Sequence, residues 1–316
     1  MIDVIDVVAV GDLNLDIITS PIKALPGKET SCDVEHMGLY TGGNAANFAA
    51  AAACLKLKTR FMGALGTDPI SRWLMEKMRE YGVECVVKVR EDSSAGITFA
   101  ITYTDGTRQF IAAYGSNNDL SIEDIDFSKL KGVRHVHRSG FWYCKKIMGE
   151  PTKRLLRYTR ELGAETSLDI GWDDLGWTDE RVSMVYKCLQ YVTVFFINEK
   201  ELQHLYRKND IKAAASEALE MGVKVLALHL GEKGSMVFTK DTIIKAPAYR
   251  VKPLNPTGSG DAYNAAFVYG MLKRRPLNAV ADFANAAAAL HIIRTKPVFP
   301  EIKKVETFMA ETEKRL

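Results

Sequence analysis

The stretch NPTGSGDAYNAAF, residues 255–267, places a carboxylate, Asp261, directly behind a glycine-rich turn. Asn255-Pro256 opens the turn, because proline fixes its own φ and pushes its predecessor out of the helical region. Ala262, Ala265, Ala266, Tyr269 and Leu272 then recur at helical spacing; Lys273, Arg274 and Arg275 suit a helix C-terminus, and Pro276 stops it. Gly258, Ser259 and Gly260 therefore precede a helix N-terminus, where the first backbone N–H groups lack intrahelical partners. Such a turn holds anions. Asp261 beside it is poorly placed to ligate a phosphate and well placed to accept a proton. The same residues also suit an ordinary loop-to-helix junction with a favourable first-turn acid.

Other segments carry polar groups at comparable places. In GDLNLDII, Asp12, Asn14 and Asp16 share one face by the period-two rule and follow an apolar strand, so they need partners that a polyhydroxylated ligand would supply. In GGNAAN, Gly42 and Gly43 let the backbone approach a ligand closely, and the Asn47 amide both donates and accepts. INEKEL puts Asn198 and Glu201 three apart at the end of a strand, where they could organise magnesium-bound waters around phosphates, although helix capping by Asn198 explains the pair equally well. In HLGEKGSMV, Gly231, Lys233 and Gly234 follow another strand, where a loop could approach a nucleotide. His135 and His137 share a strand face, but no third metal ligand lies near them in sequence, which favours a structural role. Neither G-x-x-x-x-G-K-[ST] nor an early G-x-G-x-x-G is present, leaving P-loop and dinucleotide-binding readings without support.

The elements that must position these groups read as an α/β alternation. Strands are expected over Val4–Val10, Arg60–Leu65, Val133–His137, Glu165–Ile170, Val192–Ile197 and Lys224–Leu230. Helices are expected over Ala45–Leu57, Pro69–Tyr81 and near 147–162, 179–189, 199–206 and 210–221. That rhythm predicts a mostly parallel central sheet with helices on both faces. Thr30–Tyr40 and Gly96–Tyr114 break it with strand-like patterns, and Asp105-Gly106 is a strong hairpin turn. They predict a small antiparallel flap inserted into one domain spanning residues 1–316.

Bulk properties bound the function. The chain has 316 residues, 47% hydrophobic and 26% charged, with a net charge of +3. This is ordinary for a globular protein and too mildly basic to argue for nucleic acid. The longest apolar runs fall short of a membrane span, and the N-terminal MIDVIDVVAV has no signal-peptide character, so a cytoplasmic location is expected. Five scattered cysteines without a C-x-x-C pair suggest neither a disulfide frame nor a zinc site.

Taken together and in order, GDLNLD, GGNAAN, GALGTD, SAGIT, YGSNNDL, INEKE, HLGEKG, TGSGDAYNAAF and FANAAAAL resemble the ribokinase-like (PfkB-type) carbohydrate kinase family over nearly the whole chain. The resemblance implies an ATP-dependent, magnesium-dependent kinase of a small sugar or sugar-like alcohol, with a small β-sheet as lid; ADP as donor stays open. The strand-like stretches Thr30–Tyr40 and Gly96–Tyr114 have only a small sheet to belong to, so their outer faces need cover, which points to a homodimer through the lid. The resemblance also implies Asp261 as general base and the N–H groups of Gly258, Ser259 and Gly260 as anion hole. Asn14, Asp16, Gly42, Gly43 and Asn47 match sugar-binding positions; Gly231, Lys233, Gly234 and Asn285 match nucleotide-binding positions; Asn198 and Glu201 match the magnesium-organising pair. Three departures stand out. Asn255 replaces the family's aspartate and RTKP (294–297) lacks its glycine, so potassium activation is in doubt, and Gly171 and Asp173 replace the asparagine and arginine of the loop after Asp169. A nucleoside kinase of the same fold is the nearest rival, with Phe141-Trp142-Tyr143 as an aromatic wall for a base. Arg108 in the flap could meet an acidic sugar or a sugar phosphate, against the plainer reading of a solvated hairpin arginine. A sugar- or nucleotide-binding protein that has lost catalysis is the alternative of another class, and the intact TGSGD and N-x-x-E argue against it.

Overall fold

Runs of β-branched and aromatic residues buried on both sides build the main sheet. The computed structural model describes residues 4–105, 107–294 and 298–315. In chain order the elements are β1 (Val7–Val10), β2 (Asn14–Thr19), β3 (Met37–Gly42), α1 (Asn44–Cys54), β4 (Thr59–Gly66), α2 (Pro69–Glu80), β5 (Glu84–Arg90), β6 (Gly96–Thr102), β7 (Arg108–Ala113), β8 (His135–Arg138), α3 (Glu150–Glu161), β9 (Glu165–Asp169), α4 (Asp179–Leu189), β10 (Val194–Asn198), α5 (Glu199–Tyr206), α6 (Ile211–Glu220), β11 (Val225–His229), β12 (Ser235–Phe238), β13 (Ile243–Ala246), α7 (Ser259–Leu272), α8 (Leu277–Ile292) and α9 (Ile302–Glu311). The main sheet has the order β13-β12-β11-β10-β9-β8-β1-β4-β5. It is parallel from β11 to β5, with β12 and β13 added antiparallel at one edge.

Alternation along each strand splits the core in two. Val7 and Ala9 of β1, Phe61 of β4 and Phe196 of β10 face α1, α7 and α8. Val8, Val10 and Met62 face the opposite way, towards Leu155 of α3. Phe195 and Ile197 of β10 do the same against Leu156, Val185 and Leu205 of α3, α4 and α5. Helices therefore cover both faces, as the α/β alternation predicts. On the first face the alanines of α1 (Ala45, Ala49, Ala52) and α7 (Ala262, Ala265, Ala266) are buried, and such short side chains let the two helices approach closely.

The second sheet has four strands in the order β3-β2-β6-β7. It corrects two expectations. The GDLNLDII segment is not a continuation of β1: β2 lies between β3 and β6, so Asn14 and Asp16 belong to the small sheet. Because β2 and β6 run parallel, the sheet is mixed rather than antiparallel. Strand β3 also starts only at Met37; residues 30–36 are mostly exposed and carry no ladder. Of the expected Asp105-Gly106 turn, Asp105 accepts from the Thr107 N–H at 2.8 Å, and Gly106 lies outside the described residues.

Candidate active site

The winding of the main sheet reverses beside β1: the chain proceeds to β4 and β5 on one side and to β8 through β11 on the other. In open α/β sheets the crevice at the carboxyl ends of strands near such a reversal is where ligands bind. Here that crevice is a cavity of about 770 Å³, between the ends of β1, β9, β10 and β11 and the inner face of the small sheet. Asn14, Asp16, Gly43, Asn47, Asn198, Glu201, Gly258, Ser259, Gly260 and Asp261 all line it.

Asp261 sits in the first turn of α7 and is buried. Its Oδ2 accepts from Asn47 Nδ2 at 3.0 Å. Burial pushes its carboxyl well above the usual range, the charge of Asp169 adds to this, the Asn47 bond opposes it, and Asp12 and Asp16 raise it further. Gly258 is the N-cap residue at φ 77°, a left-handed conformation that a side chain resists. Ser259 and Gly260 already belong to α7 rather than preceding it. The Ser259 N–H reaches Pro256 O at 3.3 Å, and the N–H groups of Gly258 and Gly260 have no partner among the described residues.

The small sheet presents Asn14 and Asp16. Asn14 Oδ1 accepts from Asn117 Nδ2 at 2.5 Å, so its amide is held from behind. Asn117 also accepts from the Leu13 N–H at 3.0 Å. Gly42 does not line the cavity. A side chain there would run into the Asp16 carboxylate, whose atoms lie 2.2 Å from the position of a Cβ. The glycine thus makes room for Asp16. Burial and the charge of Asp12 raise the Asp16 carboxyl to about 7. Asp12 itself accepts from the N–H groups of Asn44 and Ala45, both at 3.1 Å, and so caps α1 instead of waiting for a ligand.

Asn198 and Glu201 form a reciprocal capping box at the start of α5. The Glu201 N–H donates to Asn198 Oδ1 at 2.9 Å, and the Asn198 N–H donates to Glu201 Oε2 at 3.0 Å. Burial and the nearby Asp169 push the Glu201 carboxyl up. Asp169 is buried too, and accepts from Asn264 Nδ2 at 2.6 Å and the Gly171 N–H at 3.0 Å. Two buried carboxylates facing one cavity favour a cation between them. Among the described residues no three metal-ligating side chains cluster.

A second cavity of about 300 Å³ adjoins the first, walled by Tyr249, Val251, Pro253, Ala288, Ala289 and Ile292 together with Gly231, Gly234 and Asn285. Asn285 Nδ2 donates to Ala246 O at 2.8 Å and so fixes the wall behind it. Lys233 is exposed on the loop after β11 and lines neither cavity. His229, Pro256, Ser259 and Gly260 line both.

Sequence reasoning missed several of these residues. Thr98, Tyr114, Trp172, Asp174 and His229 line the larger cavity. Thr98, Tyr114 and His229 fall in SAGIT, YGSNNDL and HLGEKG, and Trp172 and Asp174 in the loop after Asp169, but nothing local shows that their side chains face the cavity. Arg108 also lines it and donates to Thr257 Oγ1, so it is not a solvated hairpin residue. Of the aromatic trio, Phe141 and Trp142 are core, and only Tyr143 reaches the cavity, stacked on Tyr114 at 5.2 Å. Asp173 is buried in a bidentate pair with Arg181 at 2.5 and 2.6 Å, a structural contact. His135 and His137 both meet Ser167 Oγ at 2.7 Å and are buried in the sheet, consistent with a structural role.

A polar cavity roofed by a small sheet, joined through a glycine turn to an apolar slot, on this strand order, is the ribokinase-like α/β architecture of small-molecule kinases. Residues 4–303 match the model of the pfkB family carbohydrate kinases, and the chain belongs to that family of enzymes. It is 26% identical to a 5-dehydro-2-deoxygluconokinase of Geobacillus kaustophilus over 97% of this chain and 94% of that one. An uncharacterized sugar kinase of Archaeoglobus fulgidus is 26% identical over 74% of this chain and 91% of its own length. Among solved structures, the ribokinase of Arabidopsis thaliana complexed with ribose and ATP superposes with a TM-score of 0.82 at 24% identity, covering 97% of this chain and 99% of that one. A putative ribokinase II from E. coli in complex with ATP and magnesium gives 0.86 at 21% identity, covering 97% and 99%. No described helix is long and apolar enough to cross a membrane.

Proposed function

We propose that this protein transfers the terminal phosphoryl group of ATP to a hydroxyl of a small sugar, with Asp261 as general base and the Gly258–Gly260 turn as anion hole. The observation that carries the reading is the junction of the two cavities: Ser259 and Gly260 line both, and Asp261 follows directly on the acceptor side. The apolar slot with Gly231, Gly234 and Asn285 takes the nucleotide, and the polar cavity with Asn14, Asp16, Gly43 and Asn47 takes the sugar. Gly42 serves by leaving space for Asp16.

The sugar hydroxyl gives its proton to Asp261 as its oxygen bonds to the γ-phosphorus. The bond from that phosphorus to the β–γ bridging oxygen breaks, and ADP leaves. The N–H groups of the turn face the charge on the three equatorial oxygens, where fixed donors contribute most. A carboxyl raised by burial is a stronger base than a solvated one, and the Asn47 amide keeps it in place. Asn198 and Glu201 would hold a magnesium ion through water; such an ion neutralises phosphate charge when bound.

The two sheets form one kinase domain in this reading, the smaller acting as a lid that excludes water. Its outer face supports a homodimer. Leu39, Ile17, Phe99 and Ile111 pair in register across all four strands, and Leu39 and Ile111 are 58% and 64% exposed. A continuous apolar row of that kind needs cover.

The relatives' names span a gluconate derivative, and those of the structural neighbours span ribose, so the acceptor is sought among sugars and sugar acids. Coupled phosphoryl-transfer assays with ATP and with ADP, over pentoses, hexoses, sugar acids, polyols and nucleosides, test the reading. Transfer from ATP to a sugar hydroxyl is expected. Transfer to nucleosides alone would replace it with a nucleoside kinase.

A further inference from the structure

The larger cavity is lined by six carboxylates, Asp12, Asp16, Asp169, Asp174, Glu201 and Asp261. Among its lining residues Arg108 is the one lysine or arginine. It opens β7, where alternation sends Arg108, Phe110 and Ala112 to the inner face of the small sheet. Its guanidinium lies 5.4 Å from the centre of the Phe110 ring and donates to Thr257 Oγ1, on the residue just before Gly258. It forms no ion pair within 4.0 Å with any carboxylate among the described residues; the charge of Asp16 acts on it from beyond that range.

That is an unusual state for an arginine. A guanidinium has five N–H donors in a planar fork, and here one described acceptor engages it. Burial opposes its charge, so withdrawing it from water is unfavourable unless an acceptor compensates. A neutral sugar would offer hydroxyl oxygens, which bond a guanidinium weakly. A carboxylate matches the fork with two parallel charge-assisted bonds. The same cavity disfavours a phosphate-bearing acceptor, because a dianion would face six carboxylates with a single cation to offset them.

We propose that the acceptor is a sugar acid and that Arg108 binds its carboxylate, setting substrate class from the lid side of the cavity. This rests on the sugar-kinase reading and narrows it.

The test compares kcat/KM with ATP for three kinds of acceptor: aldonic and keto-deoxy aldonic acids, their neutral aldose and alditol counterparts, and the corresponding sugar 6-phosphates. Wild type, Arg108→Gln and Arg108→Lys are assayed side by side, with melting temperature as the folding control. Wild type is expected to prefer the best acid over its neutral counterpart by about 10²-fold, and Arg108→Gln to collapse that preference to within about 3-fold, mainly through KM. Arg108→Lys, a point charge without the fork, should fall between them. Preference of the wild type for a neutral sugar, a nucleoside or a sugar phosphate overturns the inference and leaves the kinase reading standing; this holds even where the variants fail to fold. An Arg108→Gln variant whose kcat drops equally on acid and neutral acceptors also overturns it, since the arginine would then serve the transferring phosphoryl group. Absence of transfer to every acceptor sinks the phosphotransferase reading itself, and the inference with it.

Discussion

Asn47 and Asp261 stand 214 residues apart in the chain, yet Asn47 Nδ2 donates to Asp261 Oδ2 at 3.0 Å. The bond spans the first turns of α1 and α7, whose packed alanines fix the distance between them. A carboxylate proposed as base is thus held in orientation by an amide on another rigid helix.

Replacing Asp261 by asparagine keeps the shape and removes the proton acceptor. kcat should fall by about 10²–10⁴-fold while acceptor and nucleotide still bind. Steady-state kinetics with calorimetric binding checks this; near-normal kcat in a folded variant would sink the base assignment.

Asn47→Leu removes a bond that favours the ionised form of Asp261. The acid limb of kcat/KM should therefore move to higher pH, in addition to any loss of affinity for the sugar. A pH–rate profile superimposable on wild type would show that the amide does not act through Asp261.

Asp16 supplies a stability test without substrate. Its carboxyl is raised to about 7 by burial and by Asp12, against an unfolded value of 3.8. The folded state therefore binds the proton more tightly, and stability fully present below pH 3.8 is lost progressively up to about pH 7. A shift of that size is worth at most about 4 kcal/mol, and partial contact with water reduces it to about 1–2 kcal/mol. Unliganded Asp16→Asn should melt higher than wild type at pH 8, with the difference narrowed to about half near pH 5.5. Parallel melting curves at both values would contradict the raised carboxyl.

Much of this site is written in local pattern, and some of it is not. Gly258, Asp261, Asn198 and Glu201 sit at strand or helix ends whose periodicity and turn chemistry mark them, and the structure places them within one cavity. Asp12 looked like a ligand group because its donors, the N–H groups of Asn44 and Ala45, are 32 and 33 residues away. Gly42 looked like a ligand contact because nothing local shows the Asp16 carboxylate behind it. The assignment of β2 to the small sheet depends on pairing with β3 and β6, and alternation within β2 is the same in either sheet. Arg108 reads as solvated in a hairpin, and only the sheet's fold-over brings it to Thr257.

The apolar row Leu39–Ile17–Phe99–Ile111 should hold two copies together. Wild type is expected to sediment as a dimer, and the double variant Leu39→Lys/Ile111→Lys as a monomer with reduced turnover, because the lid loses its support. A monomeric wild type at tens of micromolar would count against this interface.

The last prediction concerns potassium. Family resemblance places a potassium site between the loop at Asn255 and the segment after α8, of which Thr295, Lys296 and Pro297 lie outside the described residues. A potassium ion needs several oxygen ligands with free lone pairs. Among the described residues, several oxygens around that place are already engaged. Asn255 Oδ1 accepts from the Thr257 N–H at 3.1 Å. Ile292 O accepts from the N–H groups of Leu254 and Asn255 at 2.8 and 3.0 Å. A ring nitrogen of the buried His291 lies 2.7 Å from Thr257 O, so the imidazole ties the turn to α8. Asparagine also lacks the charge that offsets an ion's dehydration. Carbonyl oxygens have a second lone pair, so these bonds weaken a site rather than abolish it, and the expected stimulation is below about 2-fold. Activity is compared in potassium and tetramethylammonium salts at equal ionic strength; a several-fold rise in potassium would show that the carbonyls bind the ion despite their partners.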